Sequence, residues 1–246
     1  MNKKNWIILK KLSRIKSIFS IFFKLSNRNK NNLPWYKENK KTRLIVKNKT
    51  KTDLILEVLE NEKKLKIMEI GTAGGNTTEE ILTKVMHNNK SVLYAFDPFI
   101  PYPDKDLRDN DLVHKKFLNR FKSDIAEKRL KFSRITSFDG LINLYQSDHK
   151  ETFDLIFIDG NHTAKAVLED FFLSLPLVKK NGYIMFDDYE WYPSEKHNRS
   201  KGYKSMKEVP LERIPKYAID LISKLENDIK YISAANNYNV LLFKKL

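Results

Sequence analysis

From residue 53 onward the chain switches between two hydrophobic periods. Apolar runs of strand length ("KLKIMEIG", "SVLYAFD", "LKFSRI", "FDLIFID" and "GYIMFDD") are separated by stretches with helical spacing. The helical stretches include "DLILEVLENE", "TTEEILTKVMHNN", residues 109–128, "FDGLINLYQS" and "TAKAVLEDFFLSLPLV". Strands that alternate with helices predict an α/β fold with a mainly parallel sheet covered on both faces. "PLERIPKYAIDLISKLEND" contains a further helix, and "KYISAANNYNVLLFKK" reads as two strands joined at Asn236–Asn237, which brings an antiparallel strand into the sheet. Asn76 or Thr77 is expected to cap the helix after the first strand. The helix before Val178 is expected to bend near Pro176.

Upstream of residue 53 the pattern differs. Ile8, Leu12, Ile15, Phe19 and Phe22 recur at helical steps, with Lys10, Lys11, Arg14 and Lys24 among them. A basic amphipathic helix of this kind suits an anionic membrane surface. It suits packing on its own domain, on a partner protein or on a second subunit equally well. Basic residues interrupt it too often for a membrane span, and no small-residue cleavage site follows. Residues 26–52, rich in Asn and Lys, read as a linker. The expected organisation is therefore a basic extension and linker at 1–52 and one domain at 53–246.

Charge sharpens that division. Of the 46 Lys and Arg, 16 lie within residues 1–51 beside a single acid, Glu38, so this segment carries the net charge of +15. The remainder is neutral, which argues against a nucleic-acid enzyme with a broad basic face. The chain has no cysteine. That excludes disulfides, thiolate metal sites and a Cys nucleophile, and it fits a reducing compartment such as the cytoplasm, with the inner face of a membrane as the place for a peripheral contact.

Ligands of open α/β sheets bind outside the carboxyl ends of the strands. The first strand ends "MEIGTAGGNTTEE", which holds three of the chain's seven glycines: Gly71, Gly74 and Gly75. This is neither G-x-G-x-x-G nor a P-loop, and the missing fingerprint disfavours a nicotinamide oxidoreductase. The second strand ends at Asp97, at about the offset where such folds place an acid against ribose hydroxyls. The fourth ends "FIDGNH" and the fifth "FDDY", giving Asp159, His162, Asp187 and Asp188. Two adjacent carboxylates raise each other's pKa unless a cation offsets them. No Lys or Arg occurs between Gly182 and Glu195, so the offset must come from solvent, a distant basic residue or a hard divalent ion.

Taken together, "MEIGTAGGNTT", "AFDPF", "DLIFIDGNHTAKAVLEDF" and "GYIMFDDY" resemble the class I S-adenosylmethionine-dependent methyltransferases. The nearest likeness is to their metal-dependent O-methyltransferase branch, the catechol and macrocin (sugar) types. The resemblance implies a Rossmann-like, seven-stranded, mostly parallel sheet in the order 3-2-1-4-5-7-6 with strand 7 antiparallel. It implies that Glu69, Gly71, Thr72, Gly74 and Gly75 line the cofactor, that Asp97 holds its ribose, that Ser137 in "ITSFDG" lies by its adenine, and that Asp159 borders it. It implies Mg²⁺ or another divalent cation on Asp159, Asp187 and Asp188, with His162 as the catalytic base. Catechol-type enzymes carry Asn where this chain has Asp188, so the Asp-Asp pair favours a hydroxyl on a sugar, glycan or other small molecule. A metal-independent methyltransferase of the same fold and a non-enzymatic membrane-associated scaffold are the competing expectations.

Overall fold

The computed structural model describes residues 33–60, 64–86, 90–100, 109–194 and 202–246. The amphipathic pattern over residues 8–22 lies outside them. The chain divides into two units, Met1–Lys37 and Glu38–Leu246, and the second carries the sheet.

Among the described residues, two α-helices precede the first strand, α1 (Lys40–Asn48) and α2 (Lys51–Leu59). Part of the segment expected to be linker is therefore helical. The reason is local capping: Asn39 accepts from Thr42 N–H, and Thr50 with Asp53 forms a reciprocal capping box. Next come β1 (Lys66–Ile70) and α3 (Asn76–Glu80), which continues as a π-turn at Ile81–Val85. The cap of α3 is Gly75, not Asn76 or Thr77. Then follow β2 (Val92–Phe96), α4 (Asn110–Arg120), α5 (Lys122–Ala126), β3 (Leu130–Ser133) and α6 (Ser137–Gln146). The single helix expected over 109–128 is thus interrupted at Phe121, whose side chain is buried.

The second half runs β4 (Phe153–Ile158), α7 (Ala164–Ser174), β5 (Val178–Phe186), α8 (Pro215–Leu225), β6 (Ile229–Ala235) and β7 (Val240–Lys245). Helix α7 stops at Ser174 and does not bend through Pro176; Leu177 N–H closes a turn on Ser174 O at 2.8 Å. All six residues of β4 are buried, as a strand covered on both faces requires.

The sheet order is β3-β2-β1-β4-β5-β7-β6. Strands β1 to β5 pair parallel, and β7 is antiparallel to both β5 and β6. This is the topology that the family resemblance implies. The order reverses between β1 and β4, so the connections leaving these strands diverge to opposite sides and open a crevice at their carboxyl ends. Four hydrogen bonds extend the ladder one residue past the strands: Gly71 N–H to Phe96 O at 2.8 Å, Asp97 N–H to Ser133 O at 3.4 Å, Asp159 N–H to Ile70 O at 2.9 Å, and Asp187 N–H to Ile158 O at 3.1 Å. They fix the backbone at each residue from which the site is built.

Candidate active site

The crevice holds a cavity of about 400 Å³ lined by Glu69, Gly71, Thr72, Gly74, Asp97, Asp159 and His162, together with Lys51. Gly71 has φ +87°, and a Cβ there would stand 2.2 Å from Asp159 O. Only glycine lets the ends of β1 and β4 come this close. Gly75 does a different job from the one expected: it caps α3 at φ +83°, and a Cβ would strike the Phe121 ring. It is absent from the cavity lining.

Asp97 fixes the loop after β1. Its Oδ2 accepts from Thr72 N–H at 3.0 Å and Ala73 N–H at 2.8 Å, and its Oδ1 accepts from Phe99 N–H at 2.7 Å. A carboxylate offers about four acceptor positions, so one remains for a donor in the cavity. Glu69 is wholly buried. Thr78 Oγ1 donates to its Oε2 at 2.6 Å, while Oε1 has no partner. Burial pushes the Glu69 carboxyl up to about 7, against the Thr78 hydrogen bond and the Lys51 charge. The Thr72 hydroxyl is likewise buried and unpaired. Orphaned polar atoms around an open crevice mark a place where a polar ligand completes the hydrogen bonding.

Ser137 does not join this group. It opens α6, behind its cap Thr136, and its hydroxyl bonds Asp170. It is not among the cavity-lining residues. Serine at a helix start satisfies a neighbour as readily as a ligand, and the buried Asp170 supplies that neighbour.

The adjacent carboxylates separate because the backbone turns between them. Asp188 has φ +56°, a left-handed conformation that Asp tolerates better than most residues. Its N–H bonds Asp187 Oδ1 at 2.8 Å, and its Oδ1 accepts from Asn239 Nδ2 at 3.2 Å. The two side chains therefore face different partners. Asp188 Oδ2 lies 3.3 Å from His162 Nε2, and the His162 ring packs on Trp191 with centroids 4.7 Å apart. Asp187 Oδ2 lies 2.7 Å from Lys51 Nζ, which also approaches Asp159 Oδ2 at 3.8 Å.

Lys51 is the distant cation that the acidic pair lacks locally. Burial alone would lower its pKa, but Asp187 and then Asp159 outweigh that and hold it above the usual lysine value. Asp159 remains short of positive charge. Burial, then the Asp187 carboxylate, lift its carboxyl well above the usual range despite Lys51.

Asp159, His162 and Asp188 each offer a ligand atom, all within 4.8 Å of one another. That donor set fits a divalent ion. The set expected from the resemblance fits less well, because the Asp187 oxygen that would complete it already holds Lys51. Neither Lys51 nor Asn239 was singled out by sequence reasoning. Lys51 sat in the supposed linker, and Asn239 follows a turn that looked ordinary.

Residues 68–189 match the model of a family described as "Methyltransferase domain". An uncharacterised protein, R132, of Acanthamoeba polyphaga mimivirus is 32% identical over 143 residues, which is 56% of this chain and 59% of that protein. The chain thus spans less than two thirds of this relative. Among solved structures, an O-methyltransferase from Bacillus cereus in complex with SAH is 14% identical with a TM-score of 0.53, covering 85% of this chain and 92% of that one. The methyltransferase MycE of the mycinamycin biosynthetic pathway, in complex with Mg, SAH and mycinamycin VI, is 15% identical with a TM-score of 0.50, covering 78% of this chain and 48% of that one. Residues 68–189 are thus similar to a methyltransferase-domain family, and the sheet that carries them has the fold of these methyltransferase structures.

Proposed function

We propose that the protein transfers the methyl group of S-adenosylmethionine to a hydroxyl oxygen on a sugar, glycan or other small molecule, with His162 as general base. The observation that carries this reading is the His162–Asp188 pair, at 3.3 Å, on the rim of a crevice whose other wall is the glycine-rich loop and Asp97. The orphaned Glu69 and Thr72 oxygens and the open position on Asp97 are the groups that would hold the methyl donor. When bound, that donor supplies an electrophilic methyl on a sulfonium.

The residues then act as follows. Asp188 orients the His162 imidazole through Nε2 or hands that nitrogen to the acceptor. His162 takes the hydroxyl proton as the oxygen bonds the methyl carbon and the carbon–sulfur bond breaks. The products are a methyl ether and S-adenosylhomocysteine, and the proton stays on His162 until solvent removes it. Trp191 packs on the imidazole, with ring centroids 4.7 Å apart, and helps hold it in place.

A second reading has its own support. A divalent ion on Asp159, Asp188 and either His162 or Asp187 would lower the pKa of a bound hydroxyl. The clustered donor atoms favour it, as does the Mg in the MycE complex. One assay separates the two: transfer of labelled methyl to a panel of glycan and small-molecule hydroxyls, with chelator and with added Mg²⁺. Chelator-resistant transfer favours the base-only form, and chelator-sensitive transfer restored by Mg²⁺ favours the metal form. Absence of transfer to every hydroxyl in the panel, alongside transfer to amines or thiols, contradicts both.

A further inference from the structure

Lys51 is delivered to the acidic cluster by deliberate local structure. The capping box of Thr50 and Asp53 fixes it as the first residue of α2. Thr52 Oγ1 donates to Glu80 and ties that turn to α3. The ammonium lies over Phe157, with Nζ 5.1 Å from the ring centroid. The ammonium ends 2.7 Å from Asp187 Oδ2 and 3.8 Å from Asp159 Oδ2. An ammonium and a hard divalent cation seek the same carboxylate oxygens, and two cations cannot share them without mutual repulsion.

We propose that Lys51 is the resident cation of the Asp159–Asp187 pair, that it keeps Asp187 out of any metal coordination sphere, and that divalent-ion binding at this site is weak for that reason. The proposal rests on the reading that this cluster belongs to the methyl-transfer site. It treats Lys51 as a positioning residue: it holds two carboxylates apart in charge and in place, and it touches neither the base nor the transferred methyl. The remaining donors, Asp159, His162 and Asp188, leave an ion three protein ligands with no contribution from Asp187.

The test is a Mn²⁺ titration of the full chain, followed by the electron paramagnetic resonance of the free ion. Wild type is compared with Lys51→Met and Lys51→Gln. Both substitutions keep most of the stem and remove the charge. The expected result is a Kd for Mn²⁺ at least about tenfold tighter in the variants, with the gain abolished when Asp187→Asn is added. Affinities that agree within about threefold between wild type and variants overturn the proposal, whether binding is tight or weak. A loss of thermal stability in the variants with no gain in Mn²⁺ affinity assigns Lys51 a purely structural role and overturns it too. If neither variant folds, wild-type crystals soaked in millimolar Mn²⁺ decide: an anomalous peak ligated by Asp187 contradicts the proposal, and its absence there supports it. Binding of S-adenosylmethionine, measured on the same wild-type sample, tests the methyl-transfer reading separately from the cation ratio.

Discussion

The two walls of the crevice are built by different means. The wall after β1 and β2 is local and made largely of backbone. A short glycine-rich loop is held by Asp97 through the N–H groups of Thr72 and Ala73. The wall after β4 and β5 is made of side chains gathered from far apart. Lys51 reaches Asp187 across 136 residues, and Asn239 reaches Asp188 across 51. The first wall is a cradle whose shape is set by backbone conformation. The second is an electrostatic assembly in which each charge depends on a neighbour. Substitutions should therefore change binding on the first wall and turnover on the second.

The largest expected effect tests that division at its centre. His162→Ala should lower turnover by about 10²–10⁴-fold, the usual contribution of a positioned base. S-adenosylmethionine affinity, measured by calorimetry, should stay within about threefold, because the base takes no part in the cradle. Equal turnover in the variant would remove the assignment of the base.

A second prediction concerns what lies beneath the acidic wall. Asp170, on α7, is buried, and burial pushes its carboxyl from 3.8 up to about 7, against the Ser137 hydrogen bond. The raised value means that the folded state favours the neutral acid. Its contribution to stability is complete below the unfolded carboxylate pKa near 4 and is lost as pH rises through about 7. Asp170→Asn should accordingly be more stable than wild type at pH 8, by about 2–4 kcal/mol, and match it below about pH 4. Thermal melts across that range give the answer, and a parallel offset at every pH would show that the carboxyl does not titrate between the two states.

The smallest effect is the most discriminating between walls. Asn239→Ala removes the amide that holds Asp188 in its left-handed turn, along with the bond from Glu190 N–H to the Asn239 side chain. A loss of about 1 kcal/mol is expected for each such hydrogen bond. Turnover should fall by about tenfold with no change in methyl-donor binding. A fall in binding as well would mean that the walls are coupled and not separate.

The same contrast explains what could be read from the sequence. The alternation of strands and helices, the glycine turn and the positions of Asp97, Asp159 and Asp187 at strand ends were legible because each follows an apolar run directly; the strand order came with the family resemblance. Glu69 was named only through the family resemblance, since Lys64 and Lys66 share its run. Lys51 and Asn239 were not legible, because a polar residue in a polar stretch carries no periodic signal and acquires its role only from tertiary packing. Ser137, one residue before the expected helix, opens α6, and a buried partner on α7, invisible to local pattern, bonds its hydroxyl. Gly75 shows the converse: its place in the glycine cluster was evident, and its positive φ serves the cap of α3, where a side chain would strike the Phe121 ring.

The central claim is that the crevice between the glycine-rich loop and the Asp159–Asp188 cluster receives S-adenosylmethionine. Calorimetric titration of the full chain with this compound, with chelator present, tests it most directly. The account predicts saturable one-to-one binding that Asp97→Ala weakens severely and His162→Ala leaves intact; no binding, or binding indifferent to Asp97, would contradict it.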